Sequence, residues 1–439
     1  MQRPTIHFAP EKNWMNDPNG TVYADGVYHL FYQYNPYGSE WGNICWAYAT
    51  SSNLIDWERK GIRLAPDPAI GEKYCFSGCA VKQPDEFKVI YTSIGYEADA
   101  VQHHAKQIIC DADAAFSEIR RNGHELCADA HGFPVSEWRD PFVFAFGGKT
   151  YMVLAGVSDR GHIFLYEAAD GQLNDWRYKG VLFTPADENE LPECPNVAVF
   201  GNKIVLFYSL AKESSVRYAS GTFDGETFLV RDEGYADRGL NCFYATNLTY
   251  GKGGDVVLFG WLRESLIGAS SPDGTYSGCL ALPRILRLNG CRPEFHFVNG
   301  LLSLYKTEIP VRRENGMAIC RSAAERTRIT FGVAEDAAAE ILKNAEECVR
   351  LEFCGDTLHI LRHSLTANAD ERELTVPLGA GRHFVEIISD GTVTEMLVDN
   401  SPVSFRFYRR RPVEIAFCAE KGNFGDVCAA ELGGAEIKG

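Results

Sequence analysis

Three acidic residues each stand at the start of a predicted pair of β-strands, inside short motifs that carry turn residues. Asp17 begins Asp-Pro-Asn-Gly, Asp140 follows Arg139 and precedes a proline, and Glu193 begins Glu-Cys-Pro. Taken singly, such residues are ordinarily turn or surface residues. Gathered in one pocket, two carboxylates can cleave a glycosidic bond, because one attacks the anomeric carbon while the other protonates the leaving oxygen and then activates water.

Five similar strand pairs are the elements that would gather these residues. They begin at residues 17, 76, 139, 193 and 243, roughly fifty to sixty residues apart, which is the length of one four-stranded propeller blade. In each pair two apolar stretches flank a turn of Gly, Asn or Asp, a pattern that predicts a hairpin. Residues 54–61 also resemble residues 173–180. We therefore expect an all-β fold, a five-bladed β-propeller followed by a C-terminal β-sandwich; an array of β-sandwiches is the alternative.

The first strands of propeller blades line a central channel, so side chains at the five starts would converge there. The starts carry aromatic, basic and acidic residues, and three of the five contribute a carboxylate. Crowded carboxylates raise one another's pKa, which keeps one of them protonated near neutral pH. The residues placed around this pocket are Asp17, Phe76, Ser77, Arg139, Asp140, Glu193, Phe243 and Tyr244.

The sequence changes character after about residue 310. Short alternating strands separated by Gly, Asn and Asp turns predict a smaller antiparallel sandwich. We expect a catalytic propeller over residues 1–295, a linker over residues 296–312 and a sandwich over residues 313–439. The run 332–348 has a helix-prone composition and predicts a short helix or a loop.

Composition excludes several classes of partner. The formal charge of −16 argues against nucleic acid or an anionic membrane as a ligand. The sequence has neither a signal-peptide pattern nor an apolar run of about 18 residues. The 14 cysteines are scattered, as expected of reduced thiols in a cytoplasmic protein.

Metal and cofactor sites have weak support. Cys75 and Cys79 with His103 and His104 could be drawn as a zinc site, but their spacing is unlike that of structural zinc pairs. The sequence has no phosphate-binding loop and no nucleotide fingerprint. We expect no metal and no cofactor, and an oligosaccharide or other small molecule as the substrate.

At the acidic motifs the chain resembles glycoside hydrolase family 32, the β-fructosidases, which include invertases, inulinases and levanases. The motifs occur in the family's order, and Val398–Ser401 extends the likeness into the predicted sandwich. The motifs that carry the resemblance are Trp14–Gly20, Phe31–Pro36, Trp41–Asn43, Phe76–Gly78, Arg139–Pro141, Glu193–Pro195, Phe243–Ala245 and Leu282–Arg284.

The resemblance implies a five-bladed propeller with a β-sandwich and a retaining reaction without a metal. It makes Asp17 the nucleophile, Glu193 the general acid and base, and Asp140 the carboxylate that holds fructose hydroxyls as positive charge develops on the ring. The residues expected to hold the substrate are Asn16, Gln33, Trp41, Phe76, Ser77, Arg139, Tyr244 and Trp261.

The expected activity is the exo-hydrolysis of terminal β-fructofuranosides in sucrose, short fructooligosaccharides, inulin or levan. A fructosyltransferase, a non-catalytic fructan-binding protein and an arabinan-cleaving enzyme are the alternatives. Two departures from the family pattern concern the wall of the pocket. Ala47 and Tyr48 replace Gly-His, and Asn241-Cys242 precede Phe243 where the family usually has Asp.

Overall fold

A computed structural model describes residues 3–128, 134–187, 190–239, 242–264, 274–315, 317–367, 369–409 and 411–439. Contacts within the chain divide it into two compact units. The larger unit comprises residues 9–236, 243–297 and 436–439, and the smaller unit comprises residues 1–8, 237–242 and 298–435. Both units are built of β-strands.

Five sheets make up the larger unit, and each consists mainly of strands that follow one another in sequence. The first two sheets contain β1 (Asn13–Ala24), β2 (Val27–Asn35), β3 (Cys45–Ser51), β4 (Trp57–Leu64), β5 (Tyr74–Lys82), β6 (Phe87–Ile94), β7 (Lys106–Ala112) and β8 (Ile119–Cys127). The third and fourth contain β9 (Ser136–Phe146), β10 (Lys149–Val157), β11 (Gly161–Ala168), β12 (Trp176–Phe183), β13 (Pro192–Phe200), β14 (Lys203–Leu210), β15 (Ser215–Phe223) and β16 (Phe228–Tyr235).

The fifth sheet is less regular. Its region contains β17 (Phe243–Tyr250), β18 (Val256–Leu262), β19 (Tyr276–Ser277), β20 (Cys279–Leu280), β21 (Arg284–Asn289) and β22 (Arg292–Phe297). Of these, β19 pairs in parallel with β1 of the first sheet. The helical elements described in the larger unit are short: α1 (Ala100–His103) and 3-10 turns at Pro68–Ile70 and Lys252–Gly254.

Strand burial changes from the inner to the outer edge of a sheet. The second strand of the fourth sheet, β14, is almost entirely buried. The fourth strand, β16, alternates between partly buried and exposed side chains along most of its length. Inner strands are therefore apolar on both faces, while outer strands face solvent on one, as their sequence patterns predict.

Tight turns set the hairpins. Asp25 and Gly26, between β1 and β2, have φ of 51° and 86°, and Gly147 and Gly148, between β9 and β10, have φ of 58° and 78°. Positive φ at both central positions defines the type I′ turn, whose twist matches that of paired strands. The Asp-Gly and Gly-Gly pairs in the sequence therefore mark these hairpins.

The first strands of successive sheets lie next to one another. β1 contacts β5, β5 contacts β9, β9 contacts β13, β13 contacts β17, and β17 contacts β1. These five strands carry the acidic motifs and their aromatic and basic counterparts.

The smaller unit consists of two sheets, which run β23-β35-β26-β31-β32-β33 and β24-β25-β34-β27-β28-β29-β30. Their strands are β23 (Tyr305–Ile309), β24 (Val311–Glu314), β25 (Met317–Arg321), β26 (Arg326–Val333), β27 (Ala337–Lys343), β28 (Glu347–Cys354), β29 (Thr357–Ser364), β30 (Ala369–Pro377), β31 (His383–Asp390), β32 (Val393–Val398), β33 (Ser401–Arg406), β34 (Ile415–Lys421) and β35 (Phe424–Leu432). Both sheets contribute to one apolar core. In that core the ring of Phe331 on β26 lies 5.2 Å from the ring of Phe417 on β34.

The helix or loop expected over residues 332–348 is wrong. This run forms the end of β26, all of β27 and the start of β28. Residues 337–342 are all buried between neighbouring strands, and pairing with β28 and β34 outweighs the helix propensity of Ala, Glu and Leu.

The segment 296–312 is not a free linker. It contains the end of β22, a 3-10 turn at Asn299–Leu304, all of β23 and the start of β24, and β23 pairs with β35.

The smaller unit also includes residues 1–8 and 237–242, which the sequence assigned to the propeller. In the other direction, the final strand β36 (Ile437–Lys438) pairs in parallel with β4.

The cysteines are reduced, and the described helices are short. All fourteen cysteines are thiols in the structure, and most of them are buried. Within the described ranges, no helix combines the length and apolar character needed to cross a membrane.

A buried histidine fixes the N-terminal segment in the smaller unit. His7 is 1% exposed, and its Nδ1 and Nε2 lie 2.9 Å from Asp390 Oδ2 and Glu395 Oε1. Asp390 also accepts the backbone N–H groups of Thr5 and Ile6. Although burial lowers the pKa of His7, hydrogen bonds and charge from the two carboxylates raise it to about 9.

We expect His7→Ala to destabilise the smaller unit by about 3–5 kcal/mol at pH 6, because the substitution leaves two buried carboxylates without their cation. The stabilisation by His7 is complete below its unfolded pKa of about 6.5 and is lost as the pH rises through about 9. Denaturant unfolding at pH 6 and pH 10 measures this difference, with the exposed His103 replaced by Ala as the control. An equal loss at both pH values would contradict the ion pair.

Candidate active site

Every first strand of the five sheets is interrupted by a register shift. The shift puts additional residues on the first strand opposite the second strand, as in a β-bulge. The pairing skips from Met15 to Pro18, from Cys75 to Gly78, from Arg139 to Phe142, from Glu193 to Asn196 and from Tyr244 to Asn247. The motifs selected from the sequence lie at these five interruptions.

Three of the bulges also carry a non-glycine residue with positive φ. The values are 64° for Asp140, 47° for Cys194 and 49° for Ala245. A left-handed residue costs free energy and is found where the surrounding structure enforces it, often at functional sites. These bulges re-aim side chains that an unbroken strand would point alternately to the two faces of its sheet.

Asp17 is held by donors from its own strand and from two neighbouring strands. Ser77 Oγ donates to Asp17 Oδ2 at 2.6 Å, Asn16 Nδ2 donates to Oδ1 at 3.0 Å, and Gln33 Nε2 lies 3.3 Å from Oδ2. Burial raises the pKa of Asp17, the donors Ser77 and Asn16 oppose that rise, and the charge of Glu193 adds to it. These hydrogen bonds favour the carboxylate form that a nucleophile needs.

Asp140 is the most enclosed of the three acids, at 5% exposure. Its Oδ2 accepts the backbone N–H of Cys194 at 2.8 Å, and its own N–H donates to Thr92 Oγ1 at 2.9 Å. Burial raises the pKa of Asp140 to about 7 against the lowering charge of Arg139, and the charge of Glu193 contributes to the rise. This carboxyl group is therefore poised between its two forms near neutral pH.

Glu193 is held at both carboxylate oxygens. Arg139 Nη2 donates to Oε1 at 2.9 Å, and the Tyr244 hydroxyl donates to Oε2. Burial lowers the pKa of Arg139, but the charges of Glu193, Asp140 and Glu137 raise it further, so the guanidinium remains charged. The Glu193 side chain is 23% exposed, which leaves it accessible to a bound molecule.

A chain of side-chain hydrogen bonds joins Asp17 to the aromatic residue Trp14. Trp14 Nε1 donates to Asn16 Oδ1 at 2.8 Å, Asn16 Nδ2 donates to Gln33 Oε1 at 2.7 Å, and Gln33 Nε2 donates to Ser77 Oγ at 2.7 Å. Trp14 packs edge to face against Trp261, with ring centroids 5.5 Å apart. The network fixes the direction of every donor around Asp17.

Trp41 and Phe76 form a second aromatic group, with their ring centroids 6.1 Å apart. Trp41 is 48% exposed, while Phe76 directly precedes Ser77, the donor to Asp17. Each residue expected to act in catalysis or to hold the substrate thus either lies in the network around the three acids or belongs to one of the two aromatic groups. Phe243, which the sequence also placed around the pocket, is instead buried, with its ring centroid 4.3 Å from the Arg284 guanidinium.

Sequence reasoning missed several contacts. Thr92 accepts the N–H of Asp140, the Cys194 thiol lies 3.7 Å from Asp17 Oδ2, and the Arg263 guanidinium lies 4.4 Å from the ring centroid of Tyr244. Of these residues, only Cys194 could have been selected from the sequence, because it directly follows Glu193 in the Glu-Cys-Pro motif. Thr92 lies on β6 and Arg263 follows the end of β18; neither belongs to a motif, so their contribution depends on tertiary packing.

The sequence predicts that the two departures from the family pattern, at Tyr48 and at Asn241, affect the wall of the pocket. Tyr48, the departure from the family pattern, packs in an apolar core with Phe31 and Trp46 and not in the pocket wall. Asn241 lies outside the described residues.

The residues described contain no group of three or more His, Cys, Asp or Glu side chains arranged to bind a metal ion.

We expect Asp140→Asn to stabilise the larger unit at pH 8 by about 2–4 kcal/mol, because the amide removes a buried charge. The folded pKa of about 7 exceeds the unfolded value of about 3.9. Asp140 therefore destabilises the wild type increasingly as the pH rises from about 4 to 7. Thermal unfolding at pH 4.5 and pH 8 tests this, with the exposed Asp85→Asn as the control. A stabilisation that does not grow with pH would contradict it.

Comparisons with known proteins identify relatives of this chain. A sucrose-6-phosphate hydrolase of Zymomonas mobilis is 29% identical over 310 residues, which cover 65% of this chain and 60% of that protein. A raffinose invertase of Escherichia coli is 29% identical over 299 residues, which cover 64% of this chain and 61% of that protein. The chain thus matches about three fifths of the length of these curated relatives.

Solved structures share the fold over nearly the whole chain. The sucrose-6-phosphate hydrolase from Lactobacillus gasseri has a TM-score of 0.85 at 23% identity, covering 98% of this chain and 93% of that chain. The exo-inulinase from Aspergillus awamori has a TM-score of 0.82 at 24% identity, covering 98% of both chains. The model of the glycosyl hydrolases family 32 N-terminal domain matches residues 7–295, so this chain belongs to glycoside hydrolase family 32.

Proposed function

We propose that this protein is a retaining β-fructofuranosidase that releases terminal fructose from sucrose and short fructooligosaccharides. The observation that carries the proposal is that Asp17 and Glu193 lie on two different first strands, are close enough for the charge of Glu193 to raise the pKa of Asp17, and are each held by their own donors. Cys194 connects them, since it follows Glu193 and its thiol lies 3.7 Å from Asp17 Oδ2. Names of relatives such as raffinose invertase and sucrose-6-phosphate hydrolase support this class of substrate.

The proposal includes an architecture. We infer that the five sheets of the larger unit are the blades of one five-bladed β-propeller, and that the two sheets of the smaller unit form a β-sandwich. The contacts of the five first strands in cyclic order support the first inference, and the shared apolar core supports the second. In such a propeller the bulges of all five first strands face the same channel.

The first chemical step forms a covalent fructosyl-enzyme. An Asp17 carboxylate oxygen bonds to the anomeric carbon of fructose as the bond from that carbon to the leaving oxygen breaks. The leaving oxygen takes a proton from Glu193. Ser77 and Asn16 hold Asp17 in line for attack, while Arg139 and Tyr244 hold Glu193 beside the leaving oxygen.

The second step hydrolyses this intermediate. Glu193, now a carboxylate, takes a proton from water, the water oxygen bonds to the anomeric carbon, and the bond to Asp17 breaks. Both acids return to their starting forms. Asp140 accepts hydrogen bonds from fructose hydroxyls, and these strengthen as positive charge grows on the ring in each transition state.

Acceptor choice separates hydrolysis from fructosyl transfer, since either water or a sugar can resolve the intermediate. The deciding experiment is to incubate the protein with sucrose, sucrose 6-phosphate, inulin and levan and to identify the sugars released. Free fructose as the main product supports the hydrolase. Longer oligosaccharides would indicate the transferase, and no reaction would favour a non-catalytic fructan-binding protein.

We expect Asp17→Ala to abolish turnover of every fructoside, because no covalent intermediate can form. Glu193→Ala should lose about a thousandfold or more on sucrose yet recover part of its rate on a fructoside with an acidic leaving group, which needs no protonation. Added azide should then speed breakdown of the intermediate. Rescue of Asp17→Ala, with Glu193→Ala inactive on all substrates, would reverse the two assignments.

We expect Ser77→Ala to move the acid limb of kcat/KM to higher pH. The Ser77 hydroxyl opposes the rise that burial causes in the pKa of Asp17, so its removal raises that pKa and leaves fewer molecules with an ionised nucleophile at low pH. Because Ser77→Ala removes a hydrogen bond to a charged group, we expect kcat/KM to fall about ten- to a hundredfold in this variant. Ser93→Ala, at a buried serine of β6 outside the Asp17 network, is the control, and an unmoved acid limb in Ser77→Ala would contradict the role of Ser77.

A further inference from the structure

Trp41 is a large aromatic side chain on an irregular segment. It lies between β2 and β3 and is 48% exposed. Asn35 braces the backbone on its N-terminal side, since Asn35 Nδ2 donates to the Glu40 carbonyl at 2.8 Å and Asn35 Oδ1 accepts the Tyr37 N–H at 3.0 Å. These bonds fix where the segment runs but not how the indole ring is turned.

Tyr74 supplies a fixed surface for that ring. The ring centroids of Trp41 and Tyr74 lie 5.3 Å apart with the planes inclined at 52°. Tyr74 begins β5, where the Cys75 N–H donates to the Ile44 carbonyl at 3.0 Å. The indole on the irregular segment therefore rests on an aromatic ring that belongs to a hydrogen-bonded strand.

The Tyr74 ring is itself held by its neighbours. Phe76, two residues along β5, stacks on Tyr74, with the ring centroids 6.0 Å apart and 25° between the planes. The Lys73 ammonium lies 4.9 Å from the Tyr74 ring centroid, within the range of a cation–π contact. Tyr74 thus has little freedom to turn, and it limits the orientation of Trp41.

The aromatic group runs outward from the nucleophile. Ser77, which donates to Asp17, is 4% exposed, and Trp41 at the other end is 48% exposed. In an exo-acting enzyme the terminal fructose occupies the floor beside Asp17, so the rest of the substrate extends toward the exposed end. The sugar that leaves in the first step would therefore meet Trp41.

We propose that Tyr74 is a positioning residue that sets the binding of the leaving sugar by orienting Trp41 as its platform. The apolar face of a pyranose or furanose ring packs on such an aromatic surface. This assignment rests on the proposed fructosidase function and extends it to the second sugar of the substrate. The Tyr74 hydroxyl has no part in the role, because the contact to Trp41 is made by the ring.

The test compares two substrates that share the fructosyl group. Sucrose has a second ring, whereas methyl β-D-fructofuranoside has only a methyl group there. Tyr74→Ala should raise KM for sucrose about tenfold, as expected for loss of one aromatic contact and the order that it imposes, with kcat within about twofold. KM for the methyl fructoside should not change, and Tyr74→Phe should behave as wild type on both.

Three further measurements complete the design. Tyr37→Ala removes an aromatic side chain from the same segment that is 82% exposed, and it should leave both KM values unchanged. Trp41→Ala should reproduce the effect of Tyr74→Ala on sucrose. The double variant should be no worse than Trp41→Ala alone, because non-additivity identifies two residues that act as one unit.

The outcomes distinguish the two levels of the proposal. No hydrolysis of either fructoside by the wild type would overturn the fructosidase function and this assignment together. An active wild type would leave the function standing. In that case the role of Tyr74 would be refuted by an unchanged sucrose KM in Tyr74→Ala, by equal losses on both substrates, or by additive losses in the double variant.

Discussion

The confinement of three carboxyl groups beside one guanidinium is the constraint on which the rest of the pocket depends. Burial raises the pKa of Asp17 and brings that of Asp140 to about 7. The buried carboxyl groups of the site therefore destabilise the folded protein when they are ionised. Arg139 offsets part of this destabilisation, because its charge lowers the pKa of Asp140, and it also forms an ion pair with Glu193. The remaining compensation is a set of fixed donors, Ser77, Asn16 and the Cys194 N–H, each of which must point at one oxygen. Such a set is possible only if the backbone that carries the donors is rigid.

Repetition of one local distortion meets that requirement. A regular β-strand would alternate Glu193 and its neighbours between the two faces of its sheet, whereas the bulge in each first strand breaks the alternation at the residues that matter. The positive φ of Asp140 and Cys194 shows that the backbone is held in a costly conformation there. The long buried second strands on which the first strands pair stabilise that conformation. The apolar hairpins therefore support the strained backbone of the site a few residues away.

The sequence predicted the features that are local and repeated. Hairpin turns such as Asp25-Gly26, and the acids at the start of three of the five repeats, follow from short-range patterns. Features that depend on distant packing could not be found in this way. Residues 337–342 read as helix by composition, but burial between neighbouring strands makes them β. His7 has no motif at all, and its place in the smaller unit follows from Asp390 and Glu395, nearly four hundred residues away.

Tyr48 shows how a departure from a family pattern is absorbed when it lies in the core. Its ring stacks on Phe31 with centroids 4.7 Å apart, and its hydroxyl lies 2.6 Å from His29 Nδ1. Burial lowers the pKa of His29 to about 4, so the imidazole is neutral at physiological pH and its Nδ1 forms a hydrogen bond with the tyrosine hydroxyl. A buried hydroxyl without an acceptor would destabilise the core, and the histidine on the neighbouring strand removes that penalty. Because the Tyr48 hydroxyl has this partner on the neighbouring strand, the apolar core of the first sheet accommodates the tyrosine.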